Sequence, residues 1–446
     1  MSPVRRAAAK TFLALKVRNY RLYFIGQVIS ASGTWMHAVA LGLLVLSDRL
    51  HGTGLDVGVV VALQFLPLLL FGTWGGLVVD RKDKRRLLYV TQTASGLLAL
   101  ALGVLVATDS VAMWQVMLIA ALFGVVNMFD NPARQTFVSE MVGHDLMPNA
   151  ISLNSVVMNS ARVIGPALGG VLIVTVGFAA CFLFNAASYG AVVIALFLMR
   201  PSELYQRPVV ARARGQVREG LRYVWSTPAL RDPLLAMAVV GIFAFNFTTT
   251  LPLLATITFH GGAGTYSVLT TAMGSGAVVG GLMVAHRSRP SGALLSVIGL
   301  AFGVMLLVVA GAPTEAVAVG ALVLMGVCSI SFIATANATV QLQSDPAMRG
   351  RVMALFAMAF LGSTPIGGPL MGWISDVSNP RVTLVVGGVA TLAASLLLAL
   401  RYRRSVVDAA TESRDEANPG GEPVAVLAPI RGASDQGLAR RAVGGG

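Results

Sequence analysis

Three ionisable side chains stand inside otherwise apolar stretches of the sequence. Asp130 lies near one end of its stretch, Arg162 lies in the middle of the next, and His37 lies in the first. Charged groups inside a membrane are costly and usually functional. We therefore take these three residues as candidates for coupling proton movement to another process, and we predict that Asp130 and Arg162 exchange partners during it.

Polar side chains also recur along the first apolar stretch. Gln27, Ser30, Thr34 and His37 follow one another at steps of three and four residues, so they share one face of a helix. Such a face should point at protein or at a water-filled cavity. Either it lines a substrate cavity or it forms hydrogen bonds that hold the helices together. Other polar or aromatic candidates for the cavity are Trp35, Asn127, Asn246, Thr249, Thr335 and Asn337.

The elements that carry these residues are apolar windows long enough to be membrane spans. About 20 apolar residues are needed to cross roughly 30 Å of hydrocarbon. The windows are 20–47, 57–79, 87–107, 112–132, 149–174, 178–199, 233–257, 266–286, 292–312, 316–340, 352–375 and 381–401. The alternation of a β-barrel strand does not occur. The sequence therefore predicts an all-α membrane protein with twelve transmembrane helices.

The charges predict how the spans are oriented. Lysine and arginine number 33 against 20 aspartates and glutamates, a formal net charge of +13. The basic clusters fall in alternate loops, whereas the opposite loops hold only Arg49 and Arg381. Basic loops stay in the cytoplasm. We therefore expect a multi-pass protein of the bacterial inner (cytoplasmic) membrane with both termini cytoplasmic. The excess of positive charge then reflects the orientation of the protein in the lipid bilayer, and we expect no binding of nucleic acid.

The spans divide the chain into five regions. Residues 1–19 form a cytoplasmic N-terminus, 20–199 a six-helix bundle, and 233–401 a second six-helix bundle. The linker between them, 200–232, contains Val217, Leu221, Val224 and Trp225 at helical spacing, which predicts an amphipathic surface helix. The polar composition of 402–446 predicts a disordered cytoplasmic tail.

The two bundles repeat one another at an offset near 205 residues. Gly75-Gly-Leu-Val-Val corresponds to Gly280-Gly-Leu-Met-Val, and Gly165-Pro-Ala-Leu-Gly to Gly368-Pro-Leu-Met-Gly. Asn131 and Gln135 correspond to Asn337 and Gln341. Two six-helix halves with a site at their interface are a transporter design.

These blocks carry a family resemblance over about residues 12–404. Gly76-x-x-x-Asp80-Arg81-x-x-Lys84-Arg85-Arg86 resembles motif A of the major facilitator superfamily, with Asp83 where glycine is usual. The segment Gly165-Pro166-x-x-Gly169-Gly170 resembles motif C, which is associated with exporters. Asp130-Asn-Pro-Ala-Arg134-Gln135 and Arg349-Gly-Arg351 are similar to the branch that contains the enterobactin exporter and macrolide efflux proteins.

The resemblance implies roles for several of these residues. It implies the major facilitator fold, with two pseudo-symmetric bundles and helices 1, 4, 7 and 10 around a central cavity. It places Asp80 opposite the start of helix 11 near Arg351, and Lys84 near Asp130, as a cytoplasmic gate. The alternative is that the basic loop only enforces topology. For motif C the alternative is close helix packing by its glycines.

The function that follows is secondary active efflux of an amphipathic small molecule, a siderophore or drug, by alternating access with proton antiport. No phosphate-binding loop occurs, so an ion gradient or a partner must supply the energy. We expect a monomer with no cofactor or metal. Proton-coupled nutrient import is the alternative. A membrane enzyme is disfavoured because paired acids and clustered histidines are missing, and a sensor signalling through the tail ranks last.

Overall fold

The protein is a bundle of membrane-length helices. The computed structural model describes residues 12–143, 145–205, 216–285 and 291–417. Within these residues there is no β-strand, and twelve helical segments are long and apolar enough to cross a membrane. The predicted all-α architecture with twelve spans is confirmed.

Six helices form the N-terminal half. They are α1 (Arg18–Val45), α2 (Gly54–Arg81), α3 (Lys84–Ala107), α4 (Met113–Val142), α5 (Met147–Thr175) and α6 (Phe178–Leu198). The helix expected in the linker is α7 (Gln216–Ser226). Below, "the basic end" means the helix ends at Arg18, Arg81 and Arg349, and "the opposite end" means the other ends.

The C-terminal half contains two spans that are each built from two helices. The seventh span is α8 (Pro228–Phe243) followed by α9 (Phe247–Leu253) and a π-helical turn, Leu254–Thr258. Spans eight to ten are α10 (Ala263–Ala285), α11 (Gly292–Ala310) and α12 (Glu315–Gln343). The eleventh is α13 (Arg349–Leu361) with α14 (Thr364–Val377), and the twelfth lies in α15 (Pro380–Ala417). The expected tail from residue 402 therefore begins inside a helix, and residues 418–446 lie outside the described residues.

Side-chain caps fix the starts of α2 and α3, the two helices that carry the motif A segment. Thr53 and Asp56 form a capping box at the start of α2, which satisfies backbone donors that the helix itself leaves open. Asp83 caps α3, where its Oδ1 accepts a hydrogen bond from the N–H of Arg86 at 2.9 Å. Asp83 has φ −60°, a conformation open to any residue. The turn therefore does not need the glycine that is usual at this place, and Asp83 adds a cap.

The two halves contact one another mainly through α2 with α14 and α5 with α10. Glycine lets the backbones approach: a Cβ at Gly58 would collide with the backbone of Gly368, and one at Gly170 with Ser267. Small residues allow this kind of close helix crossing in membranes. These contacts lie toward the opposite end of the helices. Nearer the basic end, Gly75 faces Met128 of its own half.

The breaks in the seventh and eleventh spans lie side by side. At the first break the Nδ2 of Asn246 donates to the carbonyl of Ile242 at 2.6 Å. At the second, the hydroxyl of Ser363 donates to the carbonyl of Phe360 at 2.5 Å. A side chain at Gly367 would collide with Asn246. Polar side chains thus donate hydrogen bonds to backbone carbonyls that the interrupted helices leave open. In a bilayer such carbonyls must find a partner within the protein.

Candidate functional site

A buried polar cluster joins three helices of the N-terminal half. Asp130 on α4 is 1% exposed. Its Oδ1 accepts hydrogen bonds from Thr91 Oγ1 and Gln92 Nε2 of α3, both at 2.7 Å, and its Oδ2 pairs with Arg134. Arg134 also donates to Gln27 Oε1 of α1 at 3.0 Å. The cluster therefore links α1, α3 and α4 through one carboxylate.

The helical spacing explains the ion pair. Asp130 and Arg134 are four residues apart and so lie on one face of α4, while the charged groups are shielded by packing from the neighbouring helices. A carboxylate in such a place is stable only if it is paired and hydrogen-bonded or protonated. Arg134 and the two hydrogen bonds from α3 supply the pairing that this carboxylate needs.

Lys84 pairs with a different acid from the one that was expected. Lys84 Nζ lies 3.6 Å from Glu140 Oε1 on α4, whereas Asp130 is taken by Arg134. The expected approach of Lys84 to Asp130 is therefore not seen. Glu140 is almost three turns beyond Asp130 and reaches the loop level where α3 begins. Sequence reasoning missed it because it lies outside the motif that drew attention to Asp130.

Arg85 of the motif A segment is anchored within its own half. Arg85 donates from Nε and Nη2 to the carbonyl of Leu196 on α6, at 3.0 and 2.8 Å. Arg351, the expected neighbour of Asp80, pairs with Glu219 of α7 at 2.7 Å. Arg81 is exposed and Gly76 is half-buried. The contact of Asp80 with the start of the eleventh span stays a prediction.

The polar residues of α1 do not share one environment. Gln27, Ser30 and His37 are buried within the half. The His37 ring packs edge-on against Phe182 and Phe123, with centroids 4.9 and 5.3 Å away. Thr34 is exposed and donates to the carbonyl of Ser30 at 2.9 Å. Buried contact between helices is therefore the better description of three of the four, and His37 is held among aromatic rings.

Arg162 has an aromatic partner. Its guanidinium carbon lies 5.2 Å from the ring centroid of Trp35 on α1. Among the described residues no carboxylate oxygen lies within 4 Å of it, and its buried Nε has no hydrogen-bond partner. Asp130 is paired with Arg134 in this structure, so the exchange of partners between Asp130 and Arg162 stays a prediction. Arg162 and Trp35 instead form an amphipathic pair in mid-membrane.

The motif C glycines sit where three helices meet. A Cβ at Gly165 would collide with Trp35 and Ser32 of α1, and one at Gly169 would lie 3.2 Å from Met36. Gly170 faces Ser267 of α10, in the other half. Pro166 is buried. Close packing therefore explains the motif fully, and the same packing fixes Trp35 beside Arg162.

The remaining cavity candidates lie in varied surroundings. Asn246, Thr249 and Thr335 are buried, and the hydroxyls of both threonines have no hydrogen-bond partner. Asn127 and Asn337 are half-buried. No group of three potential metal ligands occurs among the described residues. One residue that sequence reasoning missed is Asp376, at the end of α14, which bonds to the start of α2.

Twelve spans in two halves, with a buried polar cluster in one of them, are the architecture of a multi-pass membrane transporter. The sequence pattern of the family described as "Transmembrane secretion effector" matches residues 9–433. The chain belongs to this family of the major facilitator superfamily. It is a transporter and not an enzyme.

The relatives named in the comparison are transporters. The Staphyloferrin A transporter of Staphylococcus aureus is 24% identical over 84% of this chain and 94% of its own length. The multidrug efflux pump Tap of Mycolicibacterium fortuitum is 25% identical over 88% and 97%. The match to the uncharacterized MFS-type transporter YfiS of Bacillus subtilis, 26% identical, spans about half of each chain (48% and 51%).

Solved structures agree on the fold. A bacterial homologue of the human lysosomal transporter Spinster, in an inward-facing and unoccupied conformation, superposes with a TM-score of 0.67 at 13% identity. The match covers 86% of this chain and 96% of that one. The major facilitator fold that the motifs implied is confirmed.

Proposed function

We propose that this protein exports an amphipathic small molecule, a siderophore or a drug, from the bacterial cytoplasm by alternating access and proton antiport. Family membership and the named relatives support the class of cargo. The observation that carries the coupling is Asp130, the one carboxylate that is buried among the described residues.

Asp130 has two chemically distinct states available. When ionised it pairs with Arg134 and accepts hydrogen bonds from α3. When it takes up a proton it loses its negative charge, so the pair with Arg134 weakens and Arg134 needs another acceptor. Because Arg134 also holds Gln27 of α1, the protonation state bears directly on how α1 packs against α4. Proton uptake would thereby favour one arrangement of the half over another.

The contacts between the halves suit an inward-facing state. They lie from mid-helix toward the opposite end, where Gly58 meets Gly368 and Gly54 meets Asp376. At the basic end Lys84 pairs with Glu140 of its own half, and Arg351 pairs with Glu219 of the linker helix. With the basic end in the cytoplasm, the central space would open inward, ready to load cargo.

Arg162 and Trp35 supply a surface for that cargo. An indole face with a guanidinium over it can bind an aromatic or apolar group and leave N–H donors for an anionic or carbonyl group. The unpartnered Nε of Arg162 fits a group of this kind, and so an amphipathic cargo with acceptor oxygens is favoured.

Inside-out vesicles test the direction and the coupling together. Staphyloferrin A, enterobactin and ethidium serve as probes, with an acid-interior pH gradient imposed. We expect accumulation of at least one probe, driven by the gradient. Asp130→Asn should abolish gradient-driven accumulation but still exchange probe across the membrane at equal pH. The matched control is Asp109→Asn, which removes an exposed acid paired with Arg49.

Two results would count against the proposal. Gradient-driven accumulation in Asp130→Asn equal to that of the unaltered protein would exclude Asp130 as the coupling group. Movement of the probes only out of the acid-interior vesicles would reverse the direction and favour proton-coupled import.

A further inference from the structure

The linker helix α7 has two faces of opposite character. Gly220 and Val224 are buried against the C-terminal half, and Val224 belongs to its apolar core. Arg218, Leu221, Arg222 and Trp225 recur at three- and four-residue steps on the other side, and all four are exposed. Helical spacing therefore gathers two arginines, a leucine and a tryptophan on one face, which none of the described residues covers.

Three contacts hold α7 at the level of the membrane surface. Glu219 pairs with Arg351 in the first turn of α13. A Cβ at Gly220 would lie 3.0 Å from that of Arg351, so the two helices touch. The hydroxyl of Tyr223 accepts a hydrogen bond from the backbone N–H of Asp345 at 3.3 Å. Because α13 begins a membrane span, α7 lies beside the point where a span enters the bilayer.

The exposed face has the composition of an interfacial surface. Leu221 is 50% exposed and Trp225 is 60% exposed. The two arginines line the same groove as these apolar side chains. Tryptophan and leucine favour the boundary between headgroups and acyl chains, and arginine beside them attracts negatively charged headgroups. Glu219 would oppose this attraction, but it is already paired with Arg351.

We propose that this face of α7 binds the headgroups of anionic phospholipids, with Leu221 and Trp225 inserted beneath them. Anionic lipid is the proposed ligand because the two arginines complement its charge, and because α7 lies beside the first turn of α13, where that span enters the bilayer. Each basic residue near an anionic surface strengthens binding about fivefold, so two arginines correspond to roughly a thirtyfold preference for anionic over zwitterionic lipid. This proposal concerns the lipid contact alone and does not depend on the direction of transport.

Fluorescence quenching by brominated lipids tests it directly. A variant with Trp225 as its single tryptophan is made by replacing Trp35, Trp74, Trp114 and Trp373 with phenylalanine. It is reconstituted in phosphatidylcholine vesicles that contain 10 mol% of either brominated phosphatidylglycerol or brominated phosphatidylcholine. We expect both to quench Trp225, with phosphatidylglycerol at least twice as effective. Arg218→Gln with Arg222→Gln should equalise the two, whereas Arg218→Lys with Arg222→Lys should keep the preference because the charge is kept.

Equal quenching by the two lipids in the starting variant would overturn the selectivity. No quenching by either would show that α7 stands off the membrane, as it would if a protein partner covered it. If the single-tryptophan variant does not fold, the same comparison is made as the difference between the unaltered protein and Trp225→Phe. A missing difference there would overturn the proposal equally.

Discussion

The carboxylate of Asp376, at the end of α14, accepts hydrogen bonds from the backbone N–H groups of Gly54 at 2.6 Å and Leu55 at 2.8 Å, which open α2. The acid belongs to one half and the helix start to the other. A carboxylate at a helix N-terminus satisfies open donors and complements the positive end of the helix dipole. This contact therefore ties the two halves together at the opposite end.

Removing that charge should loosen the opposite end. In Asp376→Asn the contact loses its interaction with the helix dipole, worth about 0.3–2 kcal/mol, so we expect the population open at this end to rise by a factor of about 2 to 30. Pulsed electron resonance between spin labels at His51 and Asn379, with Cys181 and Cys328 replaced by serine, measures it. Asp109→Asn, an exposed acid at the same end paired within its own half, should leave the distances unchanged.

Adding a methyl group at Gly58 should act in the same direction. Its Cβ would collide with the backbone of Gly368 and lie 2.8 Å from Cα of Pro369, and backbone atoms cannot move aside as a side chain can. We expect Gly58→Ala to cost about 1–3 kcal/mol in the state where these helices touch. The same labels should report a larger open population. Gly190→Ala, with no atom within 4 Å of the added Cβ, is the matched control, and equal distances in both variants would refute the packing argument.

The ion pair of Asp130 and Arg134 should show strong coupling in a double-mutant cycle. Arg134→Gln leaves a buried carboxylate without its cation, and breaking a buried pair from one side costs about 3–5 kcal/mol. Asp130→Asn together with Arg134→Gln removes both charges and should recover most of that loss. Thermal unfolding of the detergent-solubilised protein measures the three variants. Additive losses would mean that the two side chains do not stabilise one another.

Arg162 should behave differently from Arg134 in the same assay. It has no carboxylate within 4 Å among the described residues, so Arg162→Gln removes a buried charge together with a cation–π contact of about 0.5–2 kcal/mol. We expect little loss of thermal stability but a loss of staphyloferrin A or enterobactin transport in inside-out vesicles. A stability loss as large as that of Arg134→Gln would point to a structural role instead.

Much of the fold follows from the sequence because spans must be long and apolar in a bilayer. The twelve windows and the linker helix near Val217 to Trp225 both appear in the structure. The breaks at Asn246 and Ser363 were not predicted. The mean hydropathy of a span is insensitive to these breaks, because each contains few polar side chains and the flanking residues are apolar. At the second break, Gly362 and Pro365 close to Ser363 were the available signal, whereas Asn246 lies between Phe245 and Phe247 and gave none.

The site was predicted less well than the fold. Residue type identified Asp130 and Arg162 correctly as unusual groups in a span, but spacing along one helix says nothing about which neighbouring helix supplies the partner. The partners Thr91, Gln92 and Glu140 come from tertiary packing. Asp376 escaped notice because an acid at a span end looks like a solvated loop residue until its contact across the halves is seen.

The paired breaks of the seventh and eleventh spans have a consequence for how the membrane core exchanges hydrogen. Asn246 and Ser363 take carbonyls that would otherwise stay within uninterrupted helices, and Gly367 lets the two breaks lie together. Amide protons there depend on fewer regular helical bonds than those one turn away. In deuterated buffer, the backbone amides of residues 244–247 and 362–364 should therefore exchange earlier than those in the rest of their spans, in the middle of the C-terminal half.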